Sequence, residues 1–267
     1  MLIVSLLTGA LFATAVFARP KGTDLAGRIA RRREGSHFSH PIAPVIAGEN
    51  RPSTDTRNVL YSSNWAGAAY EESDGYFTAV TGTFTVPTPS APSGGSGGSY
   101  SASAWVGIDG YTCDNAILQT GVDFTIDNGE TSYDAWYEWY PDYAYDFSGI
   151  TISAGDSIRV TVTASSTTSG TAVVENLSTG QTVTEDLTSS YALCEENAEW
   201  IVEDYEENGS LVPFADFGTV TFTSATATTS SGGSVDPADA SIIDIEQNNQ
   251  VLTSVTVSSS EVVVTYE

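Results

Sequence analysis

Along residues 58 to 267, patterns of alternating apolar and polar side chains recur, and Gly, Ser, Thr, Asn and Pro punctuate the runs. A period of two is that of a strand with one buried face, not of a helix. Ile158, Val160 and Val162 fall on one face of Ser157–Thr163, and Val220 and Phe222 on one face of Thr219–Thr223. Val255 and Val257 alternate in the same way, and Glu261–Tyr266 reads as a closing strand. β-Branched residues dominate the apolar set, as pleated surfaces favour. Many strands without a helical period predict an all-β protein, an antiparallel β-sandwich of two sheets. The acid-rich run from Glu195 to Glu207 has helical propensity, but its centre reads as a strand with Glu199, Ile201, Glu203 and Tyr205 on one face. Pro92–Ser99, rich in Gly and Ser, reads as a loop inside one domain because the patterns on its two sides are alike.

Charge narrows the chemistry. The 267 residues carry 34 Asp and Glu against 9 Lys and Arg, a formal net charge of −25. Eight of the nine basic residues and both histidines, His37 and His40, precede residue 58. Four acids lie there too, so the body holds thirty acids against Arg159 alone. Such a surface suits neither nucleic acid nor an anionic membrane. Without histidine the body offers no Ser-His-Asp or Cys-His arrangement and no histidine-bearing zinc site. Without lysine it offers no Schiff base and no phosphate-cradling lysine. Catalysis there would have to run on carboxylates, amides, hydroxyls or aromatics, with no metal or cofactor expected. A body so charged repels itself at neutral pH, and protonation near the ordinary carboxyl pKa of about 4 relieves it. The chain therefore reads as one built to work in acid.

Leu2–Phe17 is apolar, of signal-peptide length and too short to span a bilayer comfortably, and Ala15–Ala18 fits a small-x-small cleavage site. The expected organisation is a signal peptide at 1–18, a basic propeptide at 19–57 and a catalytic domain at 58–267, secreted to the extracellular space as a monomer. The basic segment has two readings. It is either an inhibitor laid on the acidic body, or a disordered linker with a processing site at Arg31–Arg33. The sequons at Asn176 and Asn208 are permitted glycosylation sites in a secreted chain. Cys113 and Cys194, an even pair in such a chain, are most simply one disulfide.

Three segments gather aromatics and polar groups at strand spacing. Trp105, Gly107 and Asp109 share one face, Gln119 lies between Ile117 and Gly121, and Asp134, Trp136, Glu138 and Tyr140 share another. Such a face makes a poor core and a good binding groove, though aromatics that simply form the core would give the same pattern.

The strings Asn64-Trp-Ala-Gly67, Trp105-Val-Gly-Ile-Asp-Gly110, Ala116-Ile-Leu-Gln-Thr-Gly121 and Tyr133-Asp-Ala-Trp-Tyr-Glu-Trp-Tyr-Pro141 resemble the glutamic peptidases, or eqolisins. So do Phe147–Ile152, Asn197–Asp204 and Val212–Ala215, and the resemblance runs in order over roughly residues 60 to 267. It implies a secreted, acid-active endopeptidase on a lectin- or jelly-roll-like sandwich of two seven-stranded sheets. It implies a catalytic pair, Gln119 and Glu203, and a bridge between Cys113 and Cys194. The family's second disulfide, found in some members after the catalytic Glu, has no counterpart in Glu206–Leu211.

The pair makes chemical sense. One Glu can take the proton of a water and later give it to the leaving nitrogen, while a Gln amide N–H stabilises the oxyanion. Trp65, Trp105, Asp109, Asp134, Glu138, Tyr140 and Tyr205 are the expected surroundings, orienting the pair or touching protein and peptide substrates. Two rival readings use the same groove: a glycoside hydrolase with Glu138 and Glu203 as its carboxyl pair, or a sugar-binding module with no chemistry.

Overall fold

The computed structural model describes residues 37–45, 59–95 and 97–267. The expected signal peptide and most of the expected propeptide lie outside the described residues, but its stretch His37–Val45 is among them.

The strands are, in order, β1 (His37–Phe38), β2 (Val59–Ser62), β3 (Trp65–Glu71), β4 (Phe77–Thr85), β5 (Ser99–Ile108), β6 (Ile117–Asp127) and β7 (Glu130–Tyr140). There follow β8 (Tyr145–Asp146), β9 (Ser157–Ser166), β10 (Ser169–Asn176), β11 (Gln181–Thr188), β12 (Asn197–Glu203), β13 (Glu206–Glu207) and β14 (Ser210–Leu211). The last are β15 (Thr219–Thr229), β16 (Ser234–Val235), β17 (Ser241–Gln247), β18 (Gln250–Val251), β19 (Thr253–Val257) and β20 (Glu261–Tyr266). A single 3-10 turn at Pro237–Asp239 is the only helical element among the described residues. None of the described helices is long and apolar enough to cross a membrane.

Two large sheets form the sandwich. One runs β11-β10-β9-β4-β15-β20-β19, with β16 beside β15, and the other runs β18-β17-β3-β12-β5-β6-β7-β8, with β2 beside β17. The β2–β17 pairing is parallel and the other pairings are antiparallel. A third, small sheet joins β1, β13 and β14.

Alternation decides which side chains enter the core. On β5 Ala102, Ala104, Val106 and Ile108 point between the sheets, as do Leu118, Val122 and Phe124 on β6 and Ala198, Trp200 and Val202 on β12. They meet Val80 and Phe84 of β4, Ile158, Val160 and Val162 of β9, and Val220 and Phe222 of β15. Trp200 spans the gap, its indole N–H donating to the Thr81 carbonyl at 2.8 Å. The intervening residues of the second sheet face outward, yet they too are buried: β12 is covered along its whole length. A separate apolar cluster of Trp65, Trp105, Ile117, Trp136, Ile201 and Ile243 floors that outer face. A sheet face this apolar needs a cover, and it carries the functional groups.

Candidate active site

Strand register lays three rows across the outer face of the second sheet. Glu138, Gln119, Gly107 and Glu199 form the first, on β7, β6, β5 and β12. Trp136, Gly121, Trp105, Ile201 and Gly67 form the second. Asp134, Asp123, Ser103, Glu203 and Trp65 form the third. Gln119 and Glu203 therefore stand one row of aromatics apart on neighbouring parts of one surface. The two glycines let this happen. A Cβ on Gly121 would lie 2.4 Å from Trp105 Cβ, and one on Gly107 would lie 2.6 Å from Glu199 Oε1.

Glu203 is buried at the end of β12. Its Oε2 accepts from Trp105 Nε1 at 2.9 Å, and its Oε1 accepts from the His40 backbone N–H at 3.2 Å. The Trp65 indole N–H lies alongside without closing a hydrogen bond, its ring edge-on to Trp105 at 5.0 Å. Burial pushes the Glu203 carboxyl up to about 8, against the opposing pull of these donors. Gln119 is also fully buried, and its Nε2 donates to the Ser39 carbonyl at 3.2 Å. Glu138 Oε2 accepts from the Ser39 N–H at 3.2 Å. Beneath them Glu199 is wholly enclosed, both carboxyl oxygens without a hydrogen bond; desolvation, then the charge of Asp109, raises its pKa well above the ordinary value.

The segment that fills this cleft is His37–Val45. Its first two residues, as β1, add an antiparallel strand to β13. His37 Nδ1 sits 3.3 Å from Asp123, and its ring lies on Tyr205 at a 4.1 Å centroid distance. His40 Nε2 sits 3.3 Å from Glu206 and its ring meets Tyr140 edge-on. Beyond it the Ile42 N–H donates to the Gly110 carbonyl and the Ala43 N–H to Asn64 Oδ1.

Of the residues expected around the pair, Trp65, Trp105, Glu138, Tyr140 and Tyr205 gather at the cleft. Asp134 stands half-buried beside Asp123 in the third row. Asp109 is placed elsewhere: at φ 71 it leaves the strand alternation, and its carboxylate accepts the backbone N–H groups of Cys194, Glu195, Glu196 and Asn197. It thereby anchors the turn that launches β12, with burial pushing its pKa up to about 6. Asp123, Asn64 and Glu206 escaped the sequence reading. Asp123 was within reach of it, because Gln119, Gly121 and Asp123 share a strand face.

Cys113 and Cys194 form a disulfide, with Cα atoms 6.3 Å apart. They lie with Asp109 in a cluster of metal-type ligand atoms, but the sulfurs are spent on each other and the carboxylate on four amides. Asn176 is buried, both Nδ2 protons committed to Thr151 and Asp156, so the folded protein offers no amide there for a glycan. Asn208 is exposed in the β13–β14 turn.

The fold is thus a two-sheet sandwich whose outer cleft seats an extended peptide segment. Residues 63–266 match the Peptidase A4 family. Aspergillopepsin-2 of Aspergillus niger is 55% identical over 98% of both chains, and Scytalidopepsin B of Scytalidium lignicola 44% identical over 98% of this chain and 97% of its own. The crystal structure of scytalido-glutamic peptidase with a transition state analog inhibitor superposes with a TM-score of 0.69 at 49% identity, covering 77% of this chain and 98% of that one. The chain belongs to the glutamic peptidases, the eqolisin family, and is an endopeptidase.

Proposed function

We propose that the protein is a secreted, acid-active glutamic endopeptidase whose catalytic residues are Gln119 and Glu203, delivered under a basic inhibitory propeptide at 19–57 that follows a signal peptide at 1–18. The observation that carries the pair is that both side chains hydrogen-bond one peptide unit, the carbonyl side to Gln119 and the amide side to Glu203. A substrate peptide in that position has its oxygen at an N–H donor and its nitrogen at a carboxyl.

When the cleft is open to solvent, the Glu203 pKa returns towards the ordinary value of about 4.3 and the carboxylate can act as base. It takes a proton from water as the oxygen attacks the carbonyl carbon. The Gln119 N–H stabilises the oxyanion, and Glu203 returns the proton to nitrogen as the C–N bond breaks. Trp105 holds the carboxylate in place. Glu138 receives the N–H on the acyl side, which fixes the register of the substrate.

Glu203→Gln and Gln119→Ala should each lower the digestion of acid-denatured protein by at least ~100-fold with the fold intact by circular dichroism. Wild-type rates in either variant overturn the assignment. The sugar-active alternative loses its support: Glu138 and Glu203 both hold peptide backbone.

A further inference from the structure

The segment in the cleft lies with its main chain directly against the pair. Ser39 presents its N–H to Glu138, its carbonyl to Gln119, and the next N–H, that of His40, to Glu203. One peptide bond, Ser39–His40, thus spans the pair. On its acyl side the chain continues as β1 on the β13–β14 hairpin. On its amine side the Ile42, Ala43 and Val45 N–H groups donate to Gly110, Asn64 and Tyr61, and Ala43 accepts from Ser63. A segment that merely blocked a cleft need not put a peptide plane there with its two ends matched to a donor and an acid. Strand addition with flanking main-chain bonds is how extended peptides are gripped for recognition.

We infer that Ser39–His40 is a self-cleavage site: the protein's own Gln119 and Glu203 cut this bond in the same molecule during activation. The inference rests on the reading of that pair as catalytic. The step is hydrolysis. Water adds its hydroxyl to the Ser39 carbonyl carbon and a proton to the His40 nitrogen, and the C–N bond breaks, leaving a Ser39 carboxylate and a His40 amine. Nothing else is consumed. The bond survives in the closed state because burial holds the Glu203 carboxyl up at about 8. A protonated carboxyl can serve the leaving nitrogen but cannot take a proton from water, so the cut waits until the cleft admits solvent. Cleavage would free the side ending at Ser39 to leave β13, whereas His40–Val45 keeps its bonds to the body.

The test uses the full precursor, wild type and Glu203→Gln, purified at neutral pH and brought to about pH 4. Early fragments are read by terminal sequencing and mass spectrometry at two concentrations tenfold apart, and digestion of an added denatured protein is followed in parallel. The expected result is an early end at Ser39 with a matching start at His40 in the wild type, at a fractional rate unchanged by dilution, and neither end in Glu203→Gln. If wild type digests the added protein, Glu203→Gln does not, and no early fragment is bounded by Ser39 and His40, the self-cleavage site is overturned while the catalytic pair stands. A fractional rate that falls tenfold on dilution overturns cleavage within one molecule. Undiminished digestion by Glu203→Gln overturns the pair itself.

Discussion

At the scale of single residues the site depends on side chains that are missing as much as on those present. Gly121 lets β5 bring Trp105 against β6, and Trp105 in turn holds Glu203. A methyl group at 121 meets Trp105 Cβ at 2.4 Å and the Ala104 carbonyl at 2.5 Å, both on the neighbouring strand and unable to swing aside. Gly121→Ala should cost about 1–3 kcal/mol of stability, read as a lower urea midpoint at unchanged slope. Its turnover should fall further than its substrate affinity, because the displaced indole is the one bound to Glu203. Asp109→Ala is expected to be worse still, lowering stability by about 3 kcal/mol or more, since it strands four backbone donors that one carboxylate satisfies. Denaturant unfolding checks both. That Gln119 and Glu203 lie close together on one surface was legible because short strings around them are distinctive. The work of Asp109 was not, since its four partners lie 85 to 88 residues away along the chain.

At the scale of elements the long strands were readable from their alternation. β9, β15, β19 and β20 enclose the stretches that the pattern singled out, and the acid-rich run does contain a strand, β12, rather than a helix. There the pleat, not helical propensity, decides: Ala198, Trp200 and Val202 fill the core while Glu199, Ile201 and Glu203 face the cleft. The short hairpin β13–β14 and its pairing with β1 were not readable. Strand addition uses main-chain groups, which leave no trace in a side-chain pattern. The disulfide joins the stretch before β6 to the stretch before β12, the strands that carry Gln119 and Glu203. It closes a separation of 81 residues, so the double variant Cys113→Ser, Cys194→Ser should lose about 4 kcal/mol in the chain-entropy account. Thermal melts of the two proteins at one acid pH measure this loss, and a shift under a degree would mean that the sandwich alone fixes the two strands.

For the whole molecule the governing fact is the number of carboxyl groups that folding removes from water. Burial pushes Asp109 and Asp244 up to about 6, Asp204 to about 7 and, under residues 37–45, Glu203 to about 8, with Glu199 raised well above its ordinary range. In the unfolded chain the same groups titrate near 4. The folded state therefore binds more protons between about pH 4 and those raised values, so stability is fullest below about 4 and is lost as pH rises through 6 to 8. Glu175 runs the other way: its bidentate partner Arg159 holds its pKa down and contributes only above the ordinary carboxyl range, but that pair is a single exposed one. Repulsion among the thirty acids of the body adds to the loss at neutral pH. The melting temperature should thus fall by on the order of 10 °C or more between pH 4 and pH 8, the reverse of the usual acid denaturation. Melts across that range decide the matter: equal stability at pH 4 and pH 8 would mean that the buried carboxyls exchange their protons without cost to the fold.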